Sequence, residues 1–189
     1  GPSRDYRMAK YMMYNTPEVW HAFMEKLTTV LIDYLTAQIR AGAQVVQLFD
    51  SWVGALNPQD YERFALPYSK KVLDAAHSTG VPVIHFGVGA TTLLPLMKKA
   101  GGDVLGLDWR LPLDKGWDMI GHDRGVQGNL DPVTLFSTPE LLEKRVKEIL
   151  HQANGRPGHI FNVGHGILQH TPNENVKAVV EMVHEFSKR

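Results

Sequence analysis

Short apolar runs of strand type alternate with segments of helical period along almost the whole sequence, and that alternation restricts the fold more than any other feature. The first helical segment begins at Thr16-Pro17 and extends to Arg40. Val19, Trp20, Phe23, Leu27, Val30, Leu31, Tyr34, Leu35 and Ile39 recur in it at steps of three and four, with Thr16 placed to cap and Pro17 in the first turn. Gly42 stops it, and residues 45–50 are a short apolar run of strand type. The pattern then repeats. A helix over 58–78, opened by Asn57-Pro58, leads through Gly80 to a strand over 81–86, and a helix over 91–99 leads through Gly101-Gly102 to a strand over 104–109. A shorter helix over 113–120 precedes a strand over 126–130, and a helix over 138–154 precedes a strand over 159–163. A last helix over 173–187 closes the chain.

Five strands, each followed by a helix, have to be joined by crossovers, which requires parallel pairing with the helices packed outside. The turn after the first strand, Asp50-Ser51-Trp52-Val53-Gly54, lacks the glycine-rich phosphate fingerprint of a doubly wound nucleotide fold. The strands end instead in polar residues: Asp50-Ser51, His85, Asp108-Trp109, Asn129 with Asp131, and His165. Polar groups gathered at the carboxyl ends of several strands are the habit of a β/α barrel, whose site is built from those loops. The expected class is therefore α/β, a (β/α)8 TIM-barrel arrangement with parallel strands, incomplete here at about five β/α units.

Charge and composition narrow the functions. Lys plus Arg and Asp plus Glu both number 20, so no global basic field exists to attract nucleic acid or an anionic membrane, and an anionic ligand must be met locally. The absence of cysteine removes disulfides, Cys-ligated zinc, iron–sulfur clusters and thiolate nucleophiles. It also fits a reducing, cytoplasmic setting. With no apolar run of about 18 residues, neither a membrane span nor a secretory signal is expected. Gly1-Pro2-Ser3 fits either a protease scar or a native glycine-rich turn.

Among the strand-end residues, His165 stands out because it lies between two glycines in Phe161-Asn162-Val163-Gly164-His165-Gly166-Ile167. A lone histidine beside an apolar run is usually a packing residue. One flanked by residues without side chains is open to a ligand. Ser51 has a common bland use as a turn or cap hydroxyl, set against its place on a loop of the binding face. For the acidic residues the structural use is the stronger expectation: Asp131-Pro132 starts a helix or turn, Asp108 orients Arg110 in an ion pair, and Asp50 forms no acid–base dyad or metal site. Asn129 is expected to serve backbone groups and His85 to pack. The remaining histidines, His21, His77, His122, His151, His159, His170 and His184, have no ligand spacing. Trp52 and Trp109 follow strand ends, where a tryptophan either packs or walls a pocket.

Five segments taken in order resemble the uroporphyrinogen decarboxylase family: Gln47-Leu48-Phe49-Asp50-Ser51-Trp52, Phe64-Ala65-Leu66-Pro67-Tyr68, Gly106-Leu107-Asp108-Trp109, Gln127-Gly128-Asn129-Leu130-Asp131-Pro132 and Asn162-Val163-Gly164-His165-Gly166-Ile167. The resemblance runs from about residue 3 to the end, and five ordered matches are far more specific than any one. It implies that residues 1–189 are the C-terminal part of a single β/α-barrel domain. The N-terminal half of the family, with an arginine-rich motif, an aspartate and a tyrosine used on the substrate, is not in this sequence.

The same resemblance implies a function. Members of the family are soluble, usually homodimeric enzymes that remove carboxyl groups from the four acetate side chains of uroporphyrinogen III to give coproporphyrinogen III, in porphyrin and heme biosynthesis. They use no cofactor and no metal, because a protonated pyrrole of the substrate accepts the electrons that carbon dioxide leaves behind. Ser51 and His165 carry over as substrate-binding residues, each able to hydrogen-bond a propionate or acetate oxygen. No catalytic residue carries over with certainty, since only Arg110 lies just beyond a strand end and no arginine cluster marks that face. The fragment alone is expected to be inactive. The competing readings are a barrel-related methyltransferase, which the absence of cysteine opposes, and a non-catalytic fragment that only binds tetrapyrrole.

Overall fold

The computed structural model describes residues 4–188, so Gly1-Pro2-Ser3 lies outside the described residues. The chain forms two compact units, the first ending at Asp103 and the second beginning at Val104.

The first unit holds helices α1 (Arg7–Asn15) and α2 (Pro17–Arg40), strand β1 (Val46–Phe49), helices α3 (Pro58–Phe64) and α4 (Leu66–His77), strand β2 (Val83–Phe86) and helix α5 (Leu94–Ala100). β1 and β2 pair in parallel, with Val46 opposite Val83, Leu48 opposite His85 and Phe49 opposite Phe86. Tyr61, Phe64, Val72, Leu73, Leu93 and Met97 are buried around them and form this unit's core. Their removal from water is the main drive for α3, α4 and α5 to settle on the strands.

The single helix expected over 58–78 is two helices. Ala65 leaves helical geometry (φ −123°, ψ −52°), and Pro67 in the first turn of α4 has no N–H to offer the carbonyl four residues back. Asn57 caps α3 as its position suggests, its side chain accepting from the Asp60 N–H at 2.8 Å. Thr16 does not cap α2: its hydroxyl donates to the Met12 carbonyl and so closes α1, a helix that the sequence pattern did not announce. The segment over 91–99 also divides, into a 3-10 turn (Thr91–Leu93) and α5.

The second unit holds β3 (Val104–Gly106), α6 (Leu113–Ile120), β4 (Gly125–Leu130), α7 (Pro139–Ala153), β5 (His159–Val163) and α8 (Asn173–Phe186). β3 pairs with β4 and β4 with β5, both in parallel. Trp117, Ile120, Val126, Leu130, Leu142 and Val146 are buried in its core. α6 and β5 have the expected bounds, while β3 ends earlier than expected because Leu107–Pro112 turns away as a loop. Among the described residues there are thus five strands, each followed by helix, and every strand pair within a unit is parallel. No helix among them is long and apolar enough to cross a membrane.

Candidate functional site

In the first unit the carboxyl ends of β1 and β2 are tied together beyond the strands themselves. The Asp50 N–H donates to the Phe86 carbonyl at 2.8 Å, and the Val88 N–H donates to the Ser51 carbonyl at 3.1 Å. Gly54 then passes so close to the second loop that a β-carbon on it would lie 2.2 Å from the Val88 carbonyl oxygen; only glycine fits. Ser51 is therefore held, half-buried, on a loop with few degrees of freedom. Trp52 beside it is exposed.

Asp50 explains much of that rigidity. Its Oδ2 accepts from His85 Nε2 at 2.8 Å and from the Ser69 hydroxyl at 2.6 Å. His85 is fully buried, and its Nδ1 faces the Met97 carbonyl at 3.4 Å, a long contact. Removing a carboxylate and an imidazole from water is costly unless each finds partners, and here they find one another. The buried Tyr61 hydroxyl lies alongside without a hydrogen-bond partner of good geometry. Burial first, and the charge of Asp50 second, push its ionisation far above the ordinary range, offset in part by the neighbouring Ser69 hydroxyl. Tyr61 therefore remains a neutral phenol.

In the second unit the loop after β3 is built differently. Asp108 is buried and turns its carboxylate onto the following residues: Oδ1 accepts from the Arg110 N–H at 2.8 Å and Oδ2 from Arg110 Nη1 at 2.9 Å. The guanidinium lies over the Trp109 ring, 4.1 Å from its centroid. Asn129, at the end of β4, donates through Nδ2 to the carbonyls of Asp108 (2.9 Å) and Leu111 (2.6 Å), so one amide pins both ends of the loop. The loop after β5 packs onto it, since a β-carbon on Gly164 would lie 2.5 Å from the Trp109 nitrogen. This places the half-buried His165 against Trp109, ring centroids 6.4 Å apart and nearly perpendicular. Gly166, by contrast, has open space around it.

Ser51 and His165 thus each follow a parallel strand at its carboxyl end, in separate units. Several bland expectations describe their residues well. Asp108 orients Arg110, Asn129 serves backbone carbonyls, and Asp131 starts the turn Pro132–Phe136 by accepting from the Val133 N–H. His21 bonds the Tyr68 hydroxyl at 2.6 Å, His122 faces Asp118 at 3.2 Å, and His77 faces Asp103 at 3.4 Å. His159 faces the Gly128 carbonyl at 2.9 Å; burial lowers its pKa, and that hydrogen bond opposes the shift. Sequence reasoning missed the Asp50–His85–Ser69 cluster. The strand positions of Asp50 and His85 were visible, but Ser69 reaches them from α4, and no local spacing announces such a contact.

Parallel strands with polar groups at their carboxyl ends define the class as β/α-barrel-type, and a solved structure agrees: a methyltransferase from Methanosarcina mazei superposes with a TM-score of 0.82 at 25% identity, covering 95% of this chain and 52% of its own. The family is narrower than the class. The model of the uroporphyrinogen decarboxylase family matches residues 1–186, and the chain belongs to that family. A uroporphyrinogen decarboxylase of Carboxydothermus hydrogenoformans is 56% identical over 187 residues, 99% of this chain and 53% of the relative. Another, of Koribacter versatilis, is 52% identical over 190 residues, 100% of this chain and 54% of the relative. The chain spans about half the length of these curated relatives.

Proposed function

We propose that the chain is the C-terminal part of a uroporphyrinogen decarboxylase, and that the whole protein converts uroporphyrinogen III to coproporphyrinogen III in porphyrin and heme biosynthesis. The observation that carries this reading is identity of half or more, over essentially the full chain, to relatives bearing that name. In each step one acetate side chain takes up a proton and releases carbon dioxide, so that CH2–COO⁻ plus H⁺ becomes CH3 plus CO2. The electron pair left by the departing carbon dioxide passes into a ring-protonated pyrrole of the substrate itself. Four such steps complete the conversion.

In this reading Ser51 and His165 hold acidic side chains of the macrocycle from two strand-end loops, and the groups that move protons lie in the rest of the protein. Large apolar side chains exposed along α2 and at the end of β1, among them Phe23, Val30, Tyr34 and Phe49, support the view that more protein covers this part. The proposed assembly is a cytoplasmic homodimer. The likeness to a methyltransferase is at half the identity of the decarboxylase matches or less, and it adds no separate reading.

The test compares loss of uroporphyrinogen, followed by chromatography of the oxidised porphyrins, for a family-length protein carrying this sequence and for the 189-residue chain alone. Conversion is expected from the first and none from the second. A family-length protein that leaves uroporphyrinogen unchanged would overturn the assignment. Turnover by the short chain would show that the proton-handling groups are within it.

A further inference from the structure

We propose that Arg110 is a substrate-binding residue of the site that carries His165, its guanidinium taking one carboxylate of the ligand; this rests on the decarboxylase reading given above. Position is the first reason. Among the described residues of the second unit, Arg124 and Arg156 precede strands, at their amino ends, and Arg145 lies on α7 paired with Glu148 at 2.7 Å. Arg110 follows a strand, on the face where β/α proteins build their sites.

Preorganisation is the second. An arginine on a surface loop ordinarily samples many rotamers, and fixing it on binding weakens the complex. Here the cost is met in the fold. Asp108 holds the residue at both ends, by its backbone N–H and by Nη1, and the Trp109 face supports the guanidinium plane at 4.1 Å. Trp109 is itself fixed, because Gly164 packs on its backbone and Asn129 pins the loop to either side.

The direction of the charges is the third. The Asp108 side chain is only 4% exposed and both its oxygens accept from Arg110, whereas the Arg110 side chain is 48% exposed. What the pair shows to solvent is thus chiefly the arginine side chain, whose guanidinium fork matches a carboxylate. Trp109 touches both groups, the guanidinium over its ring at 4.1 Å and the His165 imidazole nearly perpendicular to it with centroids 6.4 Å apart, which brings a cation, an aromatic ring and an imidazole together. A macrocycle carrying several carboxylates around an apolar ring has the complementary chemistry.

Arg110→Gln and Arg110→Lys in the family-length protein provide the test, read by KM for uroporphyrinogen, by quenching of uroporphyrin fluorescence on binding, and by melting temperature. Arg110→Gln is expected to weaken binding and raise KM about tenfold or more with the melting temperature nearly unchanged. Arg110→Lys should recover only part of the loss, because an ammonium has no fork. Wild-type affinity in Arg110→Gln would overturn the proposal, and so would normal affinity with a fall of several degrees in melting temperature, which would mark the residue as a latch for its loop. The fluorescence measurement separates this proposal from the assignment beneath it. A wild-type protein that binds uroporphyrin through Arg110 but converts nothing would sink the decarboxylase reading alone.

Discussion

Asp50 and Asp108 stand in almost the same sequence setting, each just past an apolar strand and just before a loop with a tryptophan, yet the fold employs them in opposite ways. Asp50 directs its carboxylate inward, to the fully buried His85 and to Ser69 on α4. Asp108 directs its carboxylate along the chain, to the backbone and guanidinium of the exposed Arg110. The first ties a loop to the core of its unit, and the second shapes the loop itself. Identity at a strand end therefore does not set the job of an acidic residue. The partner does, and the partner is set by what lies across from it: the strand and helix bearing His85 and Ser69 in one case, Arg110 of the same loop in the other.

The contrast can be broken most directly by removing each carboxylate in turn. Asp50→Ala strands a buried imidazole and a buried hydroxyl, and should lower stability by about 3–5 kcal/mol, measured by denaturant unfolding. Asp108→Ala frees groups that water can reach, since half of Arg110 is exposed, and should cost about 1–2 kcal/mol in the same experiment while loosening substrate binding more than Asp50→Ala does. Equal losses in stability would erase the distinction. Gly164→Ala probes the second loop from the other side: its new β-carbon would press on the Trp109 backbone, and the expected cost is about 1–3 kcal/mol together with weaker binding through a displaced His165.

The smallest effect is one of pH and belongs to the second unit. Burial depresses the pKa of His159, so the folded state binds its proton less readily than the unfolded chain. The associated stability is present above the unfolded histidine pKa of about 6.5 and is lost as pH falls below it. Thermal unfolding between pH 8 and 5 should show that decline, and His159→Gln should flatten it. A decline of the same size in the variant would assign the pH dependence to other groups.

Much of this architecture was legible in the sequence because it depends on local period. Strands appear as short apolar runs, helices as three- and four-residue repeats, and the glycines between them mark the changes of direction. The break at Ala65 was hidden because Leu66-Pro67 sits inside an otherwise unbroken helical pattern, where a proline two positions into a new helix looks like one that an existing helix tolerates. α1 was hidden because its nine residues place Met8, Tyr11 and Tyr14 in solvent and bury Met13, so its large apolar side chains do not mark the inner face. In the site, the loop pairs were readable: Asp108 with Arg110 are two residues apart, and Asp131 precedes the proline it caps beside. The Asp50–His85–Ser69 cluster was not, because its contacts span 35 and 19 residues and no sequence period reports on distances of that kind.

Ser51 and His165 are each proposed to bind an acidic side chain of the substrate from its own strand-end loop. The most direct test is KM for uroporphyrinogen in the family-length protein with His165→Ala, and with Ser51→Ala, each checked for its melting temperature. The account predicts a KM raised about tenfold in the histidine variant, where a charge-assisted bond is lost, a smaller rise in the serine variant, and melting temperatures close to that of the parent. An unchanged KM in both variants, with a melting temperature lowered by several degrees, would contradict it.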